Sequence, residues 1–275
     1  MTRIALFQSN TGIEPEANAS ALVQSIEQAA AGGAEILFTP EMSGLLDRDS
    51  ARAASNLRLE DDHLVLAACR DAAKRNRIWL SLGSLAVLGD NGKVANRAFV
   101  IDREGDVRAR YDKIHLFDVD LPTGESWRES SVYAPGQGAV LVDGTPVGKL
   151  GVTICYDLRF PMLFARIAEA GADVISVPAA FTVPTGRAHW HVLLRARAIE
   201  AGLFVVAAAQ VGPHEDGRET YGHSLGVDPW GEVALDMGEE VGIGFADIEL
   251  SRIADVRSRI PALDHRRPIP DPVTT

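Results

Sequence analysis

Cysteine is scarce in this chain: two among 275 residues, Cys69 and Cys155. That excludes a disulfide framework and suits a reducing cytosol, where thiols stay free. Long apolar runs are missing as well. None approaches the roughly 20 residues that span a bilayer, and the opening Met1-Thr2-Arg3-Ile4-Ala5-Leu6-Phe7 carries no long apolar stretch closed by a small-residue cleavage site. The expectation is a cytoplasmic protein with no membrane partner. Positive charge is in deficit, with 27 Lys and Arg against 38 Asp and Glu for a formal charge of −11. Such a surface repels nucleic-acid phosphates and anionic lipids, although a local pair of arginines can still hold an anionic small molecule. The 7 histidines show no metal-ligand spacing, and Cys69 has no partner for a zinc site. No linker, repeat or low-complexity stretch divides the sequence, so residues 1–275 are expected to form a single domain.

What is present is an alternation of strand and helix patterns. Short apolar runs predict strands over 4–8, 36–38, 78–83, 149–155, 174–177, 203–209 and 242–248. Apolar residues at helical spacing predict helices over 15–31, 61–75, 161–170 and 189–201, the first ended by Gly32-Gly33. Segments 95–102 with 107–111, and 222–228 with 232–235, read as hairpins. The fold class is therefore α/β, with helices outside and two sheets packed face to face in a four-layer α-β-β-α sandwich. From about residue 261 the tail, with Pro268, Pro270 and Pro272, can form neither a helix nor a central strand. It is either disordered or laid extended across a partner subunit.

Three strand ends deliver residues with chemical potential. Glu41 follows Ile36-Leu37-Phe38-Thr39-Pro40, and loops after strands commonly bear the site in α/β proteins; alone it could equally be a solvated capping residue. Lys113, in Tyr111-Asp112-Lys113-Ile114-His115-Leu116-Phe117, lies among apolar neighbours where a buried ammonium needs a carboxylate, although most lysines reach solvent. Cys155, in Gly151-Val152-Thr153-Ile154-Cys155-Tyr156-Asp157-Leu158-Arg159-Phe160-Pro161, stands where a buried strand gives way to a helix. A thiol at such a turn meets backbone N–H groups that can hold an oxyanion. A lone cysteine is more often an inert small hydrophobe, and Cys69, on the apolar face of a helix, reads as one.

Together, Pro40-Glu41-Met42, Tyr111 to Asp118 and Ile154 to Pro161 resemble the Glu-Lys-Cys triad segments of the nitrilase (carbon–nitrogen hydrolase) superfamily, in order and spacing. The resemblance runs from Ile4 to Pro268. Trp127-Arg128-Glu129-Ser130 is similar to the family segment that supplies an auxiliary glutamate, which implies that role for Glu129, with Glu125 as the competing choice. Phe181 to Arg197, Ala207 to Gln210, Tyr221 to Ser224 and Asp228 to Gly231 resemble the Nit-type amidase branch. Members of that branch hydrolyse deaminated glutathione or act as omega-amidases. One departure is Arg187, where the branch often has proline.

The resemblance implies an amidase acting on a small carboxylate-bearing linear amide through a thioester on Cys155, releasing ammonia. Glu41 would be the proton shuttle and Lys113 the oxyanion partner, with no metal or organic cofactor. It implies at least a homodimer. Tyr156, Arg159, Phe181, Thr182 and Arg187 are the candidate substrate-binding residues; Arg195 and Arg197 fit structural ion pairs, His189 and Trp190 a pocket wall or subunit contact, and His115 a structural hydrogen bond. Nitrile or N-carbamoyl amino-acid hydrolysis on the same triad is the rival reaction, and a non-catalytic binding protein the rival class.

Overall fold

Along Thr2–Gln8 (β1), Ile4 and Leu6 pack into one apolar cluster while Ala5 and Phe7 pack into another. That period of two is what a strand covered on both faces requires, and it places β1 between two layers. The structure, a computed structural model, describes residues 1–89, 92–120, 124 and 126–274. After β1 come α1 (Pro15–Ala31), β2 (Ile36–Phe38), α2 (Ser50–Asn56), α3 (Leu64–Asn76), β3 (Trp79–Leu88), β4 (Val94–Ile101) and β5 (Val107–Asp112). A small ribbon of β6 (Asp118–Asp120) and β7 (Ser126–Arg128) precedes β8 (Val140–Thr145), β9 (Gly148–Val152), α4 (Pro161–Glu169), β10 (Val174–Ser176), α5 (Val183–Ala201) and β11 (Phe204–Ala207). A second ribbon, β12 (Val211–Pro213) with β13 (Glu219–Tyr221), leads into β14 (Leu225–Val227), β15 (Val233–Asp236), β16 (Gly242–Ile248) and α6 (Ser251–Arg259).

The two large sheets share one plan. The first runs β16-β1-β2-β3-β4-β5 and the second β15-β14-β11-β10-β9-β8. In each, three central strands are parallel and the outer strands antiparallel. Leu6, Phe38 and Val100 of the first sheet share a buried cluster with Val142, Leu150 and Val152 of the second, so the sheets pack face to face. Leu22 and Ile26 of α1 with Leu66 and Cys69 of α3 cover the outer face of the first sheet. Phe164 and Ile167 of α4 with Trp190 and Leu194 of α5 cover that of the second. This is the α-β-β-α sandwich expected from the alternation.

Local chemistry explains the ends. Pro15 sits at the start of α1, where its missing N–H costs nothing and its φ suits a helix, and Gly33 (φ +80°) closes it in a left-handed turn. Helix α5 starts at Val183 rather than 189. Pro184, which reads as a loop signal, serves its first turn instead. Gly186 suits that helix because Tyr221 packs where a Cβ would stand. The short half-exposed strand β8 and the polar helix α6, with Ile253 and Val256 its buried residues, have too little periodicity to be read from sequence. After α6 the described tail forms turns followed by chain without helix or strand, with Arg266 pairing Glu169 of α4 at 2.6 Å. Among the described residues no helix is long and apolar enough to cross a membrane.

Candidate active site

Glu41, Lys113 and Cys155 come from three chain segments and both sheets, and the packing of the sheets brings them together. The chain leaves β2 through Thr39-Pro40 and delivers Glu41. The next residue, Met42, has φ +56° and its N–H bonds Ser84 Oγ at 2.9 Å, which fixes the turn. Gly83 of β3 permits this crowding: a Cβ there would strike the Thr39 and Pro40 carbonyls and Pro178 of the opposite sheet. Lys113 directly follows β5. Strand β9 ends at Val152, three residues before Cys155, and Cys155–Arg159 forms a tight 3-10 turn. Cys155 itself sits at φ +46°, a left-handed conformation that a side chain adopts only against strain. Its N–H bonds the Pro178 carbonyl at 2.8 Å, and the Ile154 N–H bonds Asp157 Oδ2 at 2.9 Å.

Asp157 also ties the thiol turn to the lysine segment. Fully buried, it accepts from the Tyr111 hydroxyl at 2.7 Å, the His115 N–H at 3.1 Å and His115 Nδ1 at 2.7 Å. Residues two before and two after Lys113 are thus held by the residue two after Cys155. His115, stacked on Phe160 with 3.5 Å between centroids, has the structural hydrogen bond expected for it.

Lys113 is 2% exposed, and its ammonium meets two carboxylates at the cavity wall. Its Nζ donates to Glu41 Oε1 at 2.9 Å and to both oxygens of Glu129 at 3.1 and 2.8 Å. Asn96, on β4, donates to Glu41 Oε1 at 3.0 Å and Glu129 Oε1 at 3.1 Å, and the Phe117 N–H bonds Glu129 Oε2 at 2.7 Å. Glu41 Oε2 accepts from the Ala180 N–H at 3.0 Å, and the thiol of Cys155 is hydrogen-bonded to Glu41. Glu125 lies outside the described residues.

Charge states follow from these contacts. Burial alone would raise the Glu41 carboxyl, but the Lys113 charge and hydrogen bonds from Lys113, Cys155 and Asn96 hold it below its ordinary value. Burial would lower Lys113, but Glu129 and Glu41 keep it well above the lysine range. Burial, then the Glu41 charge, pushes the Cys155 thiol well up. These directions favour a neutral thiol beside an ionised carboxylate in the resting site. Cys69 is different: burial without any charged partner takes it to about 12. Cys69→Ala is accordingly expected to keep full activity while losing about 1 kcal/mol of stability for the vacated volume, as denaturant melting and an activity assay would show.

These groups line a cavity of about 720 Å³, ample for a small-molecule ligand. Of the expected binding residues, Tyr156, Phe181 and Thr182 line it as well. Arg159 and Arg187 are not among the residues that line it. The Arg159 guanidinium lies 5.9 Å from the Tyr156 ring centre and 5.6 Å from that of Phe181, with Nη2 3.3 Å from His189 Nδ1. Arg187 is exposed because its segment is helix, not loop: one residue after buried Gly186, it is turned away from the core face of α5. Trp190, inside α5, is a core residue whose indole N–H bonds the His223 carbonyl at 2.8 Å. Arg197 pairs Glu200 at 2.9 Å, whereas Arg195 donates to the Gly231 carbonyl at 2.7 Å rather than to an acid.

Sequence reasoning misses Asn96 and the cavity cations Arg48, Arg128 and Arg218. Asn96 sits in an ordinary strand pattern, and the arginines belong to no motif; only their position marks them. The fold also gathers His191, His223 and Asp236, distant in sequence, into one surface cluster away from the cavity. There, hydrogen bonds of 3.0 and 2.9 Å from the two imidazoles to Asp236 link α5 to β15.

A family model described as carbon-nitrogen hydrolase matches residues 3–258. The deaminated glutathione amidase of Yersinia enterocolitica is 39% identical over 267 residues, which cover 96% of this chain and 92% of that protein. The crystal structure of the Caenorhabditis elegans NitFhit protein matches with a TM-score of 0.89 at 39% identity, over 97% of this chain and 65% of that one. A mutant of the amidase from Nesterenkonia sp. AN1, carrying the acetamide moiety of fluoroacetamide on its active-site cysteine, matches with a TM-score of 0.80 at 25% identity, over 97% and 94%.

Proposed function

This chain belongs to the carbon–nitrogen hydrolase family, hydrolases of non-peptide carbon–nitrogen bonds, and from that premise we propose that it cleaves a small carboxylate-bearing linear amide, deaminated glutathione or a relative of it, through a Cys155 thioester. The observation that carries the reading is the convergence of Cys155, Glu41 and Lys113 at the wall of one cavity, with Lys113 Nζ 2.9 Å from Glu41 Oε1. The named amidase relative supports the substrate class.

The steps follow from these positions. As sulfur attacks the amide carbon, Glu41 takes the thiol proton, so no free thiolate has to exist beforehand. The oxyanion of the tetrahedral adduct faces Lys113 and the Tyr156 N–H, which stands in the first turn after Cys155, where N–H groups lack intrahelical acceptors. Glu41 returns the proton to the departing nitrogen as the C–N bond breaks. Water then enters, Glu41 takes its proton, and the thioester breaks to acid and thiol. Glu129 holds Lys113 in place from the far side. The leaving group is ammonia from a primary amide and an amine from a substituted one, so an ammonia assay alone would miss the second.

The test is a mass-spectrometric screen of deaminated glutathione, 2-oxoglutaramate, glutamine, N-carbamoyl amino acids and simple nitriles. Turnover confined to the last two classes would overturn the reading. The acid limb of kcat/KM is expected below the ordinary glutamate value of 4.5, because protonating Glu41 removes the base. With Lys113 and Cys155 both raised, the profile stays flat through neutral pH. An acid limb near the histidine range of about 6.5 would point to another base. We read residues 1–275 as one domain and the active form as a homodimer or higher homo-oligomer; a cytoplasmic location is in keeping with two unpaired thiols.

A further inference from the structure

One wall of the cavity carries charge that the Glu41, Lys113 and Cys155 chemistry does not use. Arg48 and Arg218 both stand over the Trp127 ring, with guanidinium carbons 5.2 and 5.1 Å from its centre. One carboxylate organises both. Asp216 Oδ2 accepts from the Arg48 N–H at 2.9 Å and from Arg218 Nε at 2.6 Å, and its Oδ1 accepts from the Arg218 N–H at 3.1 Å. The other charges of this wall are mostly committed. Arg128 is held by Asp120 through two bonds of 2.9 Å, and Asp47 by Arg52 at 2.6 and 2.8 Å; Glu219 is exposed at the rim.

Two sets of donors are left over. Neither the Arg48 guanidinium nor the terminal nitrogens of Arg218 meet an acceptor among the described residues. Trp127 Nε1, in the same wall, is buried without a partner, and an indole N–H can only donate. Asp216 pairs with the Arg218 side chain, whereas the Arg48 guanidinium has no ion pair among the described residues. Guanidinium groups resting on an indole are oriented in advance, and their planar donor forks match a carboxylate.

We propose that Arg48 and Arg218, backed by Trp127, form a subsite for a carboxylate at the end of the substrate remote from the scissile amide. It rests on the amidase reading and deepens it. The substrates it selects are monoamides of dicarboxylic acids and peptide-like amides ending in a carboxylate.

Two measurements separate the subsite from the amidase chemistry. The first compares kcat/KM for glutaramate and for the neutral, near-isosteric glutaramide in the intact protein. Arg48→Gln and Arg218→Gln are each expected to reduce the preference for glutaramate about tenfold to hundredfold, the worth of a charge-assisted hydrogen bond, mainly through KM. Arg48→Lys should restore part of it. The second is calorimetric binding of glutarate to Cys155→Ala with and without Arg48→Gln, which needs no turnover. Arg48-dependent glutarate binding without amide hydrolysis by the unmodified protein would keep the subsite and overturn the amidase reading. Amide turnover with an unchanged preference in both variants, and glutarate binding that ignores Arg48, would overturn the subsite and leave the amidase.

Discussion

Cys155→Ala is expected to lower amide turnover by at least about 10⁴-fold, as loss of a nucleophile that acts as a unit with its base does elsewhere, while the protein stays folded. The thiol is buried, so its removal takes one small group from the cavity wall and one hydrogen bond from Glu41. Glu41 keeps its bonds from Lys113, Asn96 and the Ala180 N–H, so no carboxylate is stranded. The left-handed backbone at φ +46° persists with alanine and is relieved by glycine. Cys155→Gly should therefore be about 1 kcal/mol more stable than Cys155→Ala yet equally inactive. Urea melts and product formation measured on the same preparations read both effects. Turnover retained by either variant would exclude the thioester.

Lys113→Met carries the second large expectation, and here activity and stability fail together. The side chain is of similar length, so the loss is of charge and three hydrogen bonds. Rate should fall by about 100- to 1000-fold or more for the missing oxyanion partner. Stability should fall by about 3–5 kcal/mol, the usual cost of leaving a buried charge without its partner. The pH dependence gives a sharper signature. In the unmodified protein Glu41 lies below its ordinary value, so its contribution is present above that value and lost as pH falls. Without the ammonium, Glu41 and Glu129 face one another across Asn96, and burial with like charge raises one of them. A group raised in the folded state favours folding at low pH and loses that advantage as pH rises. The stability gap between the two proteins should therefore widen from acid to neutral pH in chemical denaturation. A gap independent of pH would show that the ammonium does not hold the two carboxylates ionised.

The features legible in the sequence are local ones. The period of two in Ile4–Phe7, the helical spacing closed by Gly32-Gly33, and the three segments bearing Glu41, Lys113 and Cys155 are written in neighbouring residues, and the sandwich follows from their alternation. The start of α5 is hidden because proline is both a loop signal and a good first-turn residue. A helix begun at 189 leaves Arg187 in a pocket loop that does not exist.

By itself the sequence singled out Cys155, Glu41 and Lys113, the proposed nucleophile, base and cation, because each lies in a short motif that stays together however the chain folds. The tertiary structure alone decided which arginines line the cavity. Arg48, Trp127 and Arg218 come from three separate segments, and no spacing relates them; Asp216 and the ring of Trp127 bring them together. It also decided that the thiol rests protonated. A cysteine followed by Tyr156-Asp157 looks activated by its turn, but enclosure by the packed sheets and the nearby Glu41 charge outweigh the backbone dipoles and Lys113. Burial and charge at that point depend on what both sheets place around it, and that is a property of the packed fold.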